Sequence, residues 1–295
     1  MITPDFISMT EERYIHPLKV AIRQALKFYP NSKYYVYACN LNKSTIDDLG
    51  SISPQVLVVE WNLHYLPVNV AYNKKFVWMK TRGMVRDLVK GWITGSFENK
   101  SMESLFLARD FEIKIQNKLR IIKHHNDMVK KPFVFLDADA FLIKEIDELL
   151  DGTFDIGVTI KSKEKLNFTF NHCSLLNSGV LLFLGNYNAN QVIIDAWYNE
   201  ARHIEEHWSE QTSLARLLHK LQPDFYEDIG KTHIINLTGQ DVRVRSLFVK
   251  QYNYTKIEDY GNELDKDQIK ILHFKNSRFE TPLFKRLAKE LDIET

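Results

Sequence analysis

The chain has 295 residues, and its 44% of hydrophobic residues suffice for a large core, which excludes an intrinsically disordered protein. Its 39 basic and 38 acidic residues give a net charge of +1, which excludes the positive field that holds a protein on a nucleic-acid backbone. Two cysteines, Cys39 and Cys173, exclude a disulfide framework and a four-thiolate zinc site.

Strand and helix patterns alternate along the first half of the chain. Residues 5–9 predict a strand, and apolar side chains at helical spacing predict a helix over 18–29. Strands are predicted at 34–39 and 56–60, joined by a short helix that Ser44 would cap. A helical stretch at about 103–130 then leads into the most apolar strand of the chain, residues 133–136.

The same alternation continues to the C-terminus, with strands predicted at 154–160, 179–184, 232–237 and 271–274 and helices at about 189–208 and 210–221. Alternating strands and helices are typical of an α/β protein, in which helices cover both faces of a mainly parallel sheet. Ligands of such proteins bind beyond the carboxyl ends of the strands. We therefore expect functional residues where the apolar runs stop.

Two aspartates, Asp137 and Asp139, follow the apolar strand 133–136 directly. In an extended chain, residues i and i+2 point to the same side, about 6.6 Å apart. Two carboxylates placed there repel each other unless a cation binds beside them, and oxygen ligands suit Mg²⁺ or Mn²⁺. The alternative is a helix N-cap aspartate followed by an aspartate of the first turn.

Four other segments place polar residues at the ends of predicted elements: Thr10–Tyr14 after the first strand, Asn177–Gly179 before the apolar run 180–185, Glu210 and Gln211 at a helix start, and His273 after Ile271 and Leu272. In order and context, this set together with the Asp-x-Asp pair resembles the nucleotide-sugar glycosyltransferases of the GT-A fold. The family 8-like enzymes resemble it most. The resemblance extends from about residue 5 to residue 280.

The resemblance implies a role for each matching residue. Asp137, Asp139 and His273 would hold the metal, Mn²⁺ or Mg²⁺, and the donor diphosphate would complete its coordination. Glu210 and Gln211 would be catalytic, with Glu210 as the base if the enzyme inverts and as a stabiliser of donor or acceptor if it retains. The implied donor-binding residues are Thr10, Tyr14, Lys118, Arg120, Asp137, Ala138, Asn177, Gly179, Lys275 and Arg278.

We therefore expect a single GT-A-type α/β domain, in which residues 1–240 form the catalytic part and 241–295 carry His273 and a short closing helix. The predicted function is metal-dependent transfer of a sugar (hexosyl or pentosyl) from a nucleotide-diphosphate donor, with UDP-sugar favoured, to a hydroxyl of a glycan or lipid-linked acceptor. The N-terminus has no signal-peptide pattern, so a cytoplasmic location is expected. The basic amphipathic segment 284–289 is either a solvated closing helix or a peripheral membrane contact.

Three other interpretations remain open. His203 and His207 fit the H-x-x-E-H pattern of zinc peptidases, although their position on the flank of a helix favours a solvated face. Phosphatases of the haloacid-dehalogenase type also end a strand in Asp-x-Asp, but they continue with Gly-Thr, where this chain has Ala140 and Phe141. A catalytically silent subunit that binds nucleotide sugars would keep the same residues without turnover.

Overall fold

The computed structural model describes residues 1–63, 100–161, 175–201, 209–257, 260, 266–274, 282–291 and 293. The strands are β1 Asp5–Thr10, β2 Tyr34–Cys39, β3 Val56–Trp61, β4 Phe133–Leu136, β5 Ala140–Leu142, β6 Ile156–Ile160, β7 Leu176–Phe183, β8 Thr232–Leu237, β9 Gln240–Phe248 and β10 Ile271–His273. The helices are α1 Ile15–Phe28, α2 Lys43–Gly50, α3 Lys100–Val129, α4 Tyr187–Ala201, α5 Ser209–Leu221, α6 Val249–Tyr252 and α7 Pro282–Glu290.

Eight strands form one sheet in the order β3-β2-β1-β4-β7-β6-β9-β8. The β3-β2-β1-β4 half is parallel, as is the pair β6 and β9, which confirms the predicted α/β architecture with a mostly parallel sheet. Strand β7 runs antiparallel to both of its neighbours, so its first residues meet the carboxyl end of β4. This reversal brings the segment Asn177–Gly179 next to the Asp-x-Asp pair.

The sheet is covered on both faces, which explains why β4 is apolar at every position. Successive side chains of a strand point to opposite faces. Phe133 and Phe135 therefore pack with residues of α3, α4 and α5, whereas Val134 and Leu136 pack with residues of α1 and α2. All four side chains are fully buried, so β4 cannot shift without losing core contacts on both faces.

A second sheet of two strands joins the C-terminal part to the centre of the molecule. Strand β10 pairs antiparallel with β5, the short strand that follows the Asp-x-Asp pair, and His273 lies opposite Ala140. The sequence predicted β10 but neither β5 nor β9. Strand β5 has only three residues, too few to show an alternating pattern.

The cap of helix α2 differs from the prediction. Ser44 was expected to cap it, but the capping residue is Asn42 and the helix begins at Lys43, two residues earlier than a Ser44 cap would place it. The Asn42 side chain accepts a hydrogen bond from Thr45 N at 2.9 Å, and Ser44 Oγ donates to the same oxygen at 2.6 Å. Asparagine and serine cap helices about equally well, so spacing alone did not distinguish them.

Helix α7 contains the basic segment 284–289. Phe284 and Leu287 are buried in a third apolar cluster, where the Phe284 ring lies 5.3 Å from the Phe274 ring, while Lys285 and Lys289 are exposed. The apolar side of α7 is thus occupied by the protein itself, which agrees with a closing helix rather than with a helix inserted into a membrane surface. In the part of the chain that the structure describes, no helix is long and apolar enough to cross a bilayer.

Candidate metal centre

Asp137, Asp139 and His273 form a cluster at the carboxyl end of β4. One ligand atom from each residue lies within 4.8 Å of the other two. His273 Nε2 is 3.2 Å from Asp139 Oδ1 and 3.8 Å from Asp137 Oδ2. The pairing of β10 with β5 carries the histidine here, and the Phe274 amide donates to Asp139 O at 2.8 Å. Two carboxylates and one imidazole are a donor set that suits Mn²⁺, and Mg²⁺ somewhat less.

The two aspartates project from a turn rather than from an extended strand. The Ala140 amide donates to Asp137 O at 2.8 Å, which closes a tight turn over residues 137–140. The expected extended spacing of the two carboxylates therefore does not apply. The turn instead leads the chain into β5, and this is the strand that recruits His273.

Because Gly179 has no side chain, it leaves room for the side chains of this cluster. A Cβ atom at this position would clash with the His273 ring, at 2.6 Å from Nδ1, and would lie 2.9 Å from Asp137 Oδ2. Any larger residue would therefore displace two of the three candidate ligands. The close approach explains why glycine stands within β7, where it otherwise weakens a strand.

Lys118 connects the cluster of Asp137, Asp139 and His273 to helix α5. Its Nζ lies 2.9 Å from Asp137 Oδ1 and 3.2 Å from Glu210 Oε1, and its side chain is buried. Burial alone would lower the pKa of Lys118, but the two carboxylates outweigh it and raise the pKa above the ordinary value. The lysine therefore remains positively charged across the physiological range.

Arg120, the other basic residue predicted on this helix, is only half-buried, and no described contact joins it to the cluster. Residues two apart on a helix point in nearly opposite directions. The geometry of α3 thus places Lys118, and not Arg120, beside Asp137.

Glu210 is buried and bound through both of its carboxylate oxygens. Oε1 accepts from Ser178 Oγ at 2.7 Å and pairs with Lys118, and Oε2 accepts from the Gln211 amide at 2.6 Å. Burial raises the pKa of Glu210, while Lys118 and these hydrogen bonds act in the opposite direction. The carboxylate therefore orients Lys118 and Ser178 and is closed off from solvent.

The segment Asn177–Gly179 faces the start of α5. Gln211 Oε1 accepts from the Ser178 amide at 3.2 Å, and Asn177 Oδ1 accepts from the Gly179 amide at 3.1 Å. Asn177 Nδ2 is buried without a hydrogen-bond partner in the described structure. A buried donor without a partner costs about 1–3 kcal/mol, so this amide is suited to a ligand that supplies an acceptor.

The predicted residues at the end of β1 lie at the same edge of the sheet, because β1 and β4 are parallel neighbours. Thr10 is buried, and its hydroxyl donates to Glu11 O at 3.2 Å. The Arg13 guanidinium lies 4.6 Å from the centre of the half-buried Tyr14 ring. Burial raises the pKa of Tyr14, Arg13 lowers it, and the charges of Asp139 and Asp137 raise it further.

Some predicted residues lie outside the described part of the chain, namely Lys275, Arg278, His203 and His207. Ala138 is buried in the turn between the two aspartates. Sequence reasoning gave no role to Ser178, although it lies in the segment Asn177–Gly179, and it missed Asn253 entirely. Asn253 is fully buried and its Oδ1 lies 2.8 Å from His273 Nδ1. No motif surrounds it, so only the fold reveals this contact.

Comparison with known proteins identifies the fold. No protein-family model matches the chain, and no curated protein matches it. The galactosyltransferase LgtC in complex with donor and acceptor sugar analogues is similar at 13% identity and a TM-score of 0.49, over 98% of this chain and 94% of LgtC. The glycosyltransferase GlyE of Streptococcus pneumoniae TIGR4 is similar at 14% identity and a TM-score of 0.49, over 100% of this chain but only 61% of GlyE.

An active-site mutant of LgtC gives a TM-score of 0.53 at 10% identity, over 99% of this chain and 96% of that one. At such identities the likeness concerns the fold and not the activity. The TM-score of 0.53 over nearly the whole of both chains shows a shared fold. The chain therefore adopts a GT-A-type glycosyltransferase fold.

Proposed function

We propose that this protein is a metal-dependent glycosyltransferase that moves a sugar from a nucleotide-diphosphate donor, in the first place a UDP-sugar, to a hydroxyl of a glycan or lipid-linked acceptor. The observation that carries the proposal is the cluster of Asp137, Asp139 and His273 at the carboxyl end of β4, within a GT-A-type fold. Sheets of this kind bind ligands at that edge.

The transfer breaks the bond between the anomeric carbon and the diphosphate oxygen, and forms a bond from that carbon to the acceptor oxygen, whose proton is released. A divalent ion held by the cluster would offset the negative charge that develops on the departing diphosphate. Asn177 offers its unpaired Nδ2 to a donor hydroxyl, and Tyr14 offers an aromatic face to the base. Thr10, Ala138 and Gly179 would also contact the donor, and Lys275 and Arg278 would contact its diphosphate.

Glu210 and Gln211 are assigned to the neighbourhood of the anomeric carbon. The three contacts of the Glu210 carboxylate, together with its burial, support an orienting role for it rather than that of a base exposed to the acceptor. An orienting Glu210 agrees with a retaining enzyme. The anomeric configuration of the product, read by NMR, tests this: an inverted product would restore Glu210 as the candidate base.

The test of the function is a donor panel with one matched pair of variants. UDP-, GDP-, CMP- and ADP-sugars are each tested with and without Mn²⁺ by thermal shift and by release of the nucleotide. A ligand at about 100 times its dissociation constant stabilises the native state by about 2.7 kcal/mol, which is easily detected. Asp139→Asn should abolish the metal-dependent shift and the turnover, whereas Asp241→Asn, exposed on β9, should leave both unchanged.

Three results would contradict the proposal. Binding of a nucleotide sugar without transfer to any acceptor or to water would indicate a silent binding subunit. Hydrolysis of a simple phosphomonoester would indicate a phosphatase. Full activity in a chelator, or in Asp139→Asn, would remove the metal role of the cluster.

A further inference from the structure

Asn253 lies directly after the short helix α6 and contacts the candidate ligand His273 from the side opposite the aspartates. It is fully buried, and its Oδ1 is 2.8 Å from His273 Nδ1, while His273 Nε2 faces Asp139. Its Nδ2 is 3.0 Å from Thr159 Oγ1 and 3.2 Å from Asn177 O. One amide thus touches three groups, and each of them constrains it.

The partners of Nδ2 determine which way the Asn253 amide points. A backbone carbonyl such as Asn177 O only accepts hydrogen bonds, so the group that faces it must be the NH₂. Thr159 Oγ1 already donates to the same carbonyl at 2.7 Å, so its lone pairs remain to accept from Nδ2. A reversed amide would place its oxygen against Asn177 O. The amide oxygen of Asn253 therefore faces His273.

An acceptor at His273 Nδ1 requires that this nitrogen carry the hydrogen. The neutral ring then has its lone pair on Nε2, the atom directed at Asp139 and Asp137. In the other tautomer, Nε2 would donate to Asp139 Oδ1 at 3.2 Å and thereby close the space between imidazole and carboxylate. The Asn253 contact disfavours this closed arrangement.

We infer that Asn253 is a positioning residue that holds His273 in the Nδ1-protonated tautomer before a metal binds. This inference rests on the metal site of the proposed function, but not on any particular sugar or acceptor. Partners that donate or accept at the second nitrogen of a metal-binding histidine fix its tautomer and orientation. Here that partner is itself held by the backbone of Asn177, so the metal ligand and the donor-binding segment share one hydrogen-bond network.

An irregularity in β6 makes this network possible. The pairing of β6 with β7 shifts register between Val158 and Thr159, so that Thr159 lies opposite Asn177. Such bulges change the direction of side chains near functional sites. The Thr159 hydroxyl reaches Asn177 O as a result, and it holds the carbonyl that orients Asn253.

The first experiment reads the tautomer without metal and without substrate. Long-range ¹H–¹⁵N correlation spectra of ¹⁵N-histidine-labelled protein distinguish the two ring nitrogens, at about pH 8.5, two units above the ordinary histidine pKa. The His273 signals are identified by their loss in His273→Gln. We expect the Nδ1–H form in the wild type and a substantial shift to the Nε2–H form in Asn253→Ala. An unchanged tautomer in Asn253→Ala would overturn the inference.

The second experiment measures Mn²⁺ affinity by electron paramagnetic resonance. Asn253→Ala should raise the Mn²⁺ dissociation constant about 10- to 100-fold, as for other partners of metal-binding histidines. Asn253→Asp keeps an acceptor opposite Nδ1 and should therefore recover the tautomer, although its second oxygen faces Asn177 O and lowers stability. The Nε2–H form in folded Asn253→Asp would contradict the proposed role.

Asn190→Ala is the matched control. Asn190 is also a fully buried asparagine that donates to backbone carbonyls, those of Phe183 and Gly185, but it lies on α4 outside the cluster. It should lose stability as Asn253→Ala does, yet keep the tautomer and the Mn²⁺ affinity. A wild type that shows the Nδ1–H form but binds no Mn²⁺ would refute the metal site of the proposed function and leave the tautomer result intact, so the two failures are distinguishable.

Discussion

Replacing Lys118 by methionine should destabilise the fold strongly, because it removes the positive charge that compensates Glu210. Glu210 is only 2% exposed, so water cannot replace the lysine as its partner. The side chain of Asp137, the other partner, is 28% exposed and remains partly hydrated. The expected loss of stability therefore comes mainly from the uncompensated charge of Glu210.

Breaking a buried ion pair by removing one partner costs about 3–5 kcal/mol. At roughly 2 °C per kcal/mol for a chain of this size, the melting temperature should fall by about 6–10 °C. Glu210→Gln in the Lys118→Met background removes the uncompensated charge, and the amide oxygen still accepts from Ser178 or from the Gln211 amide. The double variant should therefore regain most of the lost stability.

Urea denaturation of the wild type, both single variants and the double variant gives the four free energies of unfolding that test this expectation. The pH dependence supplies an independent check, since burial already raises the pKa of Glu210 and loss of Lys118 raises it further. A carboxyl whose pKa is raised in the folded state stabilises the fold below its ordinary pKa, and this contribution is lost as the pH rises through the folded value. The stability deficit of Lys118→Met should thus grow as the pH rises above the ordinary glutamate pKa.

Two results would refute this reasoning about Lys118. One is a loss below about 1 kcal/mol in Lys118→Met, which is the value of an exposed pair. The other is a double variant less stable than Lys118→Met itself, because this would mean that the Glu210 charge still stabilises the fold without its lysine.

Two further predictions concern the surroundings of the cluster. Gly179→Ala should weaken Mn²⁺ binding, measured by electron paramagnetic resonance, and cost about 1–3 kcal/mol in urea denaturation, because the new Cβ would overlap the His273 ring and crowd Asp137; unchanged affinity would contradict the close packing. Trp197→Phe removes the indole N–H that donates to Glu210 O at 2.8 Å at the start of α5. Because Ser213 Oγ still donates to Glu210 O at 2.8 Å, the loss of stability should be about 0.5–1.5 kcal/mol. The KM for the donor should rise, and an unaltered KM would show that the Trp197 hydrogen bond does not position Glu210.

Much of the architecture follows from local pattern. The run 133–136 predicted β4 with its observed bounds, because a strand buried on both faces is apolar at every position. The strands 34–39 and 232–237 were likewise predicted correctly. Strand β5 was not predicted, since three residues carry no period, and the cap of α2 was assigned to Ser44 instead of Asn42.

The candidate site was likewise predicted only in part. Asp137 and Asp139 were predicted from the end of an apolar strand, because a strand end and its polar residues are adjacent in the chain, whereas the role of His273 was implied only by the resemblance to GT-A enzymes. Their convergence within 4.8 Å depends on the turn after β4 and on the pairing of β5 with β10, which join distant segments.

The sequence by itself determined the alternation of strands and helices, the acidic pair after β4 and the residue types that suit a divalent metal, since each is a property of neighbouring residues. Only the tertiary structure decided that Lys118 rather than Arg120 meets Asp137, that Glu210 is an enclosed ion-pair partner, and that Asn253 contacts His273. These three facts depend on which way a side chain points and on what approaches it from another part of the chain. Such approaches follow from the packing of whole helices and strands, which no local pattern encodes.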